Sequence, residues 1–290
     1  EPQRFPEVKR VPGKEIVAPY DVTAWSLPLS MGVTVGKGTL PEGLAPWKAP
    51  ATPALPAAET YALGPGSPER WKVVASARKG GEVSLLPAAA GSLPAGTLLL
   101  DAGAAKAGAA VAGELGLALE PLAAAPAGAA RLRTPRVGLY KPWLASMDEG
   151  WTRFLLERYG FAPVTLDNAG LRAGKLGTRF DVIVLPDVEK EVLAGGKPKR
   201  DEGEMRYFPE PRPEYAGGLG KEGSAALKEF VEGGGTLVAL ASSSEYLIDE
   251  LALPVRNALA HAPSSEFPCP GGPVSIGLGP AHPATFGLPE

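Results

Sequence analysis

The chain has 290 residues, room for two ordinary domains each able to bury a core of its own. A formal net charge of -3 gives no electrostatic reason to expect nucleic acid or an anionic membrane as partner, and both are set aside. Apolar residues make up 44% of the chain and charged residues 21%, ordinary for a globular protein, but 37 Gly and 32 Pro exceed the usual share and predict many loops.

No run approaches the ~18 apolar residues that a membrane helix needs. The chain opens Glu1-Pro2-Gln3, with neither an initiator Met nor a charged, apolar leader, and this start reads as a cut. A single cysteine, Cys269, allows no internal disulfide and reads as a small packed residue. Residues 1–70 read as a connector and Pro-rich segment. Within it Trp25, Leu27, Leu29 and Met31 alternate as a strand would, whereas the prolines between Pro41 and Pro68 resist helix and sheet alike and predict a long surface loop.

Residues 71–133 read as a small α/β domain. Strands are predicted over 71–76, 82–86 and 96–101, an Ala-rich helix over 104–115 closed by Gly116, and a strand-like run over 117–122. From Arg136 the signals strengthen, and residues 134–290 read as one larger α/β domain. A strand over 137–140 precedes a helix that opens with Ser146 and Glu149 spaced as a capping box and carries Trp151, Phe154, Leu155 and Tyr159 on one face, with Gly160 ending it. Next come a strand over 161–166, a short helix over 168–173, and the apolar run FDVIVLP (180–186), a strand of the buried parallel type. After an insert at 188–220, a helix over 222–231 is stopped by three glycines, a strand covers 236–241 and a helix 243–251. Such alternation implies a doubly wound, mostly parallel sheet.

The runs RVGLYKPW (136–143), MDEGWTRFLLERYGF (147–161), FDVIVLPD (180–187), EYAGGLGKEG (214–223), FVEGGGTLVAL (230–240) and the earlier APYDVTAWSLPLSMGV (18–33) resemble the region that follows the catalytic domain in bacterial zinc carboxypeptidase-like proteins, peptidase family M14. Residues 134–290 are similar to a class I glutamine amidotransferase domain, of flavodoxin-like architecture, without its nucleophile. The likeness is carried outside residues 40–130, which are read from composition alone. It implies a parent that hydrolyses the C-terminal residues of peptides, with a zinc held by a His, a Glu three residues later and a distant second His. Neither histidine here starts such a pair: His261 is followed three residues on by Ser264, and His282 by Thr285. The resemblance therefore implies a non-catalytic accessory region, with no cofactor of its own and the zinc in the parent's catalytic domain. It implies the upstream peptidase domain as partner, a peptide or glycan as further ligand, and an exported parent. HPATFGLP (282–289) resembles a loop near the end of amidotransferase-like domains, so the sheet is expected to lack its last strands at Glu290. The alternative is a free-standing ligand-binding module of amidotransferase-like fold, taking a glycan or peptide at the sheet edge.

Candidate site residues follow the strands. In amidotransferase-like folds the turn after a central strand holds the nucleophile on a strained elbow. Here that turn is Ala241-Ser242-Ser243-Ser244-Glu245, with neither Cys nor a flanking Gly. Ser242 with Glu245 reads as a capping box, which accounts for the serines without chemistry, and the competing reading makes Ser243 a nucleophile with His261 or His282 as base. Cys269, His261 and His282 could offer three zinc ligands, but at a spacing that matches no closed site. Lys141, Trp143 and Asp148 follow the first strand of the larger domain and Asp187 follows the 180–186 strand, all at the edge where open α/β folds bind ligands. The insert, with Tyr207, Phe208 and Tyr215 among mixed charges, reads as a lid, an interface or a solvated loop. Lys141, Trp143, Asp148, Asp187, Tyr215 and Ser243 form the candidate binding set.

Overall fold

The computed structural model describes Thr34, Gly36, Gly38, Thr39, residues 41–46, 55–199 and 209–260, Ala262 and Thr285. The alternating segment at 25–31, the insert residues 200–208, and His261, Cys269 and His282 lie outside the described residues. Contacts group residues 51–256 and 281–289 into one compact unit. Residues 1–50, 257–280 and 290 form another, whose described residues are turns and coil.

The larger unit is mixed α/β, with one antiparallel and one parallel sheet. The first part runs β1 (Thr60–Leu63), α1 (Arg70–Ala77), β2 (Val83–Leu85), β3 (Leu98–Asp101), α2 (Ala102–Glu114), β4 (Glu120–Leu122) and β5 (Ala130–Arg131). Its strands form an antiparallel sheet in the order β4-β1-β3-β2-β5. Tyr61, Leu63, Leu98 and Leu100 pack with Val73, Val74, Ala104 and Ala105 of the two helices into one buried cluster. The Asp101 carboxylate caps α2 by accepting from the Ala104 amide at 2.7 Å.

Two expectations fail in this part. The segment at 71–76, predicted as a strand, is helix α1, because Val73, Val74 and Ala77 are all buried at helical rather than alternating spacing. β1 lies inside the Pro-rich stretch expected to be loop and pairs on both sides, with β3 and β4. The prolines flank its four residues rather than interrupt them, and the Tyr61 hydroxyl fastens the approach by donating to the Pro56 carbonyl at 2.5 Å.

The second part runs β6 (Val137–Tyr140), α3 (Met147–Arg158), β7 (Val164–Leu166), α4 (Asn168–Arg172), α5 (Leu176–Arg179), β8 (Val182–Leu185), α6 (Lys190–Gly195), α7 (Gly220–Glu232), β9 (Thr236–Ala239) and α8 (Ser243–Glu250). Its four strands are all parallel, in the order β7-β6-β8-β9. On one face Tyr140, Leu166, Ile183 and Leu185 pack with Leu171, Leu176, Leu193, Leu227, Phe230 and Tyr246 from five helices. On the other, Val137, Leu139 and Val184 pack with Leu156 of α3 and Phe161. The expected apolar run at 182–185 is central, with Ile183 and Leu185 fully buried. Gly233 caps α7, and Gly235 just beyond passes close to the helix: a Cβ there would stand 2.4 Å from the Phe230 ring.

Helix α3 opens on the expected N-cap, with the Ser146 hydroxyl accepting from the Glu149 amide at 3.1 Å, while the Glu149 carboxylate turns to Arg153. The face shared by Trp151, Phe154 and Leu155 turns outward. Trp151, Phe154 and Leu155 are 62%, 48% and 49% exposed, and the helix's one buried residue is Glu149. The Glu149 carboxylate takes Arg153 at 2.5 Å, and Arg153 goes on to the Pro163 carbonyl and the Thr165 hydroxyl. A charged pair thus holds the inner side. At the end of α3, Gly160 has φ +84° and a Cβ on it would lie 2.3 Å from the Ala75 Cβ, so the turn is pressed against α1. There the Tyr159 hydroxyl donates to Glu69 at 3.3 Å.

Candidate functional site

The carboxyl ends of the parallel strands carry four turns: Lys141-Pro142-Trp143 after β6, Asp167-Asn168 after β7, Pro186-Asp187-Val188 after β8, and the turn from Leu240 to Ser243 after β9. Because strand order reverses around β6, the β6 and β8 turns flank the crevice where ligands enter open parallel sheets.

Over the β6 and β7 ends lies the return leg of the insert. The Trp143 indole N–H donates to the Pro209 carbonyl at 3.1 Å, and its ring sits 5.5 Å from the Tyr215 ring at 46°. The Arg212 guanidinium stands 5.8 Å from the same indole. Asn168, 2% exposed, ties the layers together: its Oδ1 accepts from the Tyr140 hydroxyl at 2.7 Å and its Nδ2 donates to the Tyr215 carbonyl at 2.6 Å. One turn along α4, Arg172 donates to the Ala216 carbonyl at 2.9 Å and also to that of Gly218. Burial, with the nearby Tyr246, Tyr215 and Asp167, pushes the Tyr140 phenol well above its ordinary range, so it remains a proton donor. Burial likewise raises the Tyr215 phenol.

Beside this clamp is a cavity of about 240 Å³, lined by Trp143, Leu144, Lys197, Pro198, Pro209 and Glu210 among others. One indole ring, several prolines, one cation and one anion in the lining suit a ligand with both an apolar face and polar edges.

The β8 and β9 turns are joined separately. The Asp187 carboxylate accepts from the Ser242 amide at 3.0 Å. Ser243 is fully buried; its hydroxyl donates to the Pro186 carbonyl at 2.5 Å and accepts from the Val188 amide at 3.2 Å. The capping box expected at Ser242 is not made. Ser242 has helical angles, φ -60° and ψ -28°, and its side chain caps nothing. The left-handed residue of this strand-to-helix turn is Ala241, at φ +44°.

Of the sequence-predicted set, the structure brings Trp143 to Tyr215 and Asp187 to the Ser242–Ser243 turn. Lys141 is exposed, tied through its amide to the Leu166 carbonyl at 3.0 Å, and Asp148 is exposed in the first turn of α3, where a carboxylate suits the helix N-terminus. Sequence reasoning missed Asn168, Arg172 and Tyr140. The one local hint was a polar pair, Asp167-Asn168, directly after a strand; Asp167 accepts from the Gly170 amide at 2.7 Å and caps α4, leaving Asn168 for the core. Among the described residues no group of three or more His, Cys, Asp or Glu is placed to hold a metal, and no helix is long and apolar enough to cross a membrane. No family model, no curated protein and no solved structure matches the chain.

Proposed function

We propose that this chain is the non-catalytic accessory region of a zinc carboxypeptidase-like protein of peptidase family M14, built around a doubly wound, glutamine amidotransferase-like domain. The observation that carries the non-catalytic part is the turn after β9. An elbow in that fold presents its nucleophile on a strained strand-to-helix residue, and the strained residue here is Ala241, whose methyl group can attack nothing. Ser243 is buried on two backbone partners. The order β7-β6-β8-β9, parallel throughout, and the helices on both faces support the doubly wound reading.

The zinc, on this reading, belongs to the upstream peptidase domain, which this region packs on or presents substrate to. The experiment has two arms. The reading frame upstream of Glu1 is expected to encode His-x-x-Glu followed by a distant His, and the isolated chain to release no amino acids from peptide C-termini. An upstream frame without that pair, or release by the chain alone, overturns the proposal.

The cavity beside Trp143 favours a second reading, a free-standing module that binds a peptide or glycan at the sheet edge. Titration of indole fluorescence with short peptides and oligosaccharides separates the two. Saturable quenching that Trp143→Ala abolishes, in a chain whose frame lacks the peptidase pair, selects the module.

A further inference from the structure

We infer that α3 is a self-association element, its outward apolar stripe packing against the same stripe of a second copy across a two-fold axis. This does not rest on the accessory-region reading. Met147, Trp151, Phe154 and Leu155 are 80%, 62%, 48% and 49% exposed. Their spacing, continued by Arg158, puts all five on one side of the helix. The stripe is already organised: the Trp151 and Phe154 rings meet edge to face at 5.8 Å, and the Arg158 guanidinium stands 5.9 Å from the Phe154 ring.

A surface helix of an α/β domain normally turns such a stripe inward. Here the inner side is held by Leu156 and by the Glu149–Arg153 pair, so the large side chains face out by construction. Four side chains at these exposures present on the order of 500 Å² of contiguous apolar surface. Two copies joined through it bury at most about 1,000 Å² from the stripe itself, the lower bound of a specific interface, to which rim contacts add.

Charge selects a second copy as the occupant. The stripe has exposed Asp148 at its amino end and exposed Arg158 at its carboxyl end. Two such helices laid antiparallel place each Arg158 beside Asp148 of the other copy, bring Trp151 over Leu155, and oppose their macrodipoles favourably. A parallel pairing sets like charges together.

Sedimentation velocity of the full chain over about 1–200 µM tests this. A monomer–dimer equilibrium is expected. Trp151→Lys should raise its Kd at least about thirtyfold, as for a central aromatic anchor. Asp148→Arg alone should weaken it about fivefold, and Asp148→Arg with Arg158→Asp together should recover most of that loss. Circular dichroism checks that each variant keeps its fold. A monomer across the whole range, a dimer indifferent to Trp151→Lys, or a double exchange no tighter than the single one overturns the inference. So does a monomer that uses this face to hold the peptidase domain instead.

Discussion

Replacing Asn168 by aspartate removes one donor from the clamp over the sheet edge while keeping its shape and its other bond. The Oδ1 partner, the Tyr140 hydroxyl at 2.7 Å, can still donate, but the Nδ2 position, 2.6 Å from the Tyr215 carbonyl, becomes an oxygen facing an oxygen. Losing that bond and leaving a half-buried carbonyl to face an oxygen costs about 1–3 kcal/mol. Holding the new carboxyl neutral to avoid this costs about 1.4 kcal/mol for each pH unit above its unfolded pKa of about 3.9. One effect opposes both: a carboxylate in the first turn of a helix gains about 0.5 kcal/mol, and less in a helix as short as α4. Burial wins, with a net loss of about 3 kcal/mol at neutral pH. The sign with pH follows from a folded-state pKa raised above the unfolded one. Below the unfolded value the carboxyl is protonated in both states and donates to Tyr215, so the loss is small there. It grows as pH rises to the folded pKa and is constant above it. Urea unfolding of parent and Asn168→Asp at about pH 4.5 and pH 7 measures the difference, and hydrogen exchange over 213–219 should quicken at the higher pH. A destabilisation equal at both pH values, or below about 0.5 kcal/mol at pH 7, refutes the clamp.

Ser243→Ala should destabilise by about 2 kcal/mol because it strands the Pro186 carbonyl and the Val188 amide, while Ser242→Ala, which removes no side-chain bond, should stay within about 0.5 kcal/mol. Chemical denaturation ranks the two, and the reverse order would restore the capping box. At the amino end of the sheet, hydrogen bonds from the Arg136 side chain and amide, with Coulombic help from Arg133, hold the Asp181 carboxyl down to about 2. A depressed carboxylate pKa contributes stability above the unfolded value that is lost as pH falls through the folded one, so the melting-temperature gap between parent and Asp181→Asn should be open at pH 6, close between about pH 4 and pH 2, and vanish below. A gap unchanged at low pH means that the ion pair is not its source.

What could be read from the chain follows from how local each cause is. The 182–185 strand is a continuous apolar run because both faces of a central parallel strand are covered, and the Ser146 cap on the Glu149 amide closes over three residues; both are visible in a short window. Helix α3 shows the limit. Periodicity says that Trp151, Phe154 and Leu155 share a face, but the inward side is held by Leu156 on the sheet and by the Glu149–Arg153 pair, whose Arg153 reaches the Thr165 hydroxyl across 12 residues of sequence. α1, of eight residues, was too short for its period to separate helix from strand. The site divides in the same way. Trp143 and Asp187 are legible as residues that follow strands, whereas the bonds of Asn168 to Tyr140 and Tyr215 span 28 and 47 residues and leave no local pattern.

The turn after β9 is the sharpest case. Glycine or asparagine at position 241 would have announced a left-handed residue, but alanine conceals it and pays about 1–2 kcal/mol for the conformation. The strain persists because the neighbouring strand's turn over-determines it, with the Asp187 carboxylate on the Ser242 amide and the Ser243 hydroxyl on Pro186 and Val188. A pattern such as Ser-x-x-Glu predicts a cap only if the first residue is extended. Here the constraint from β8 sets Ser242 helical, so the serine that matters for stability is the next one along.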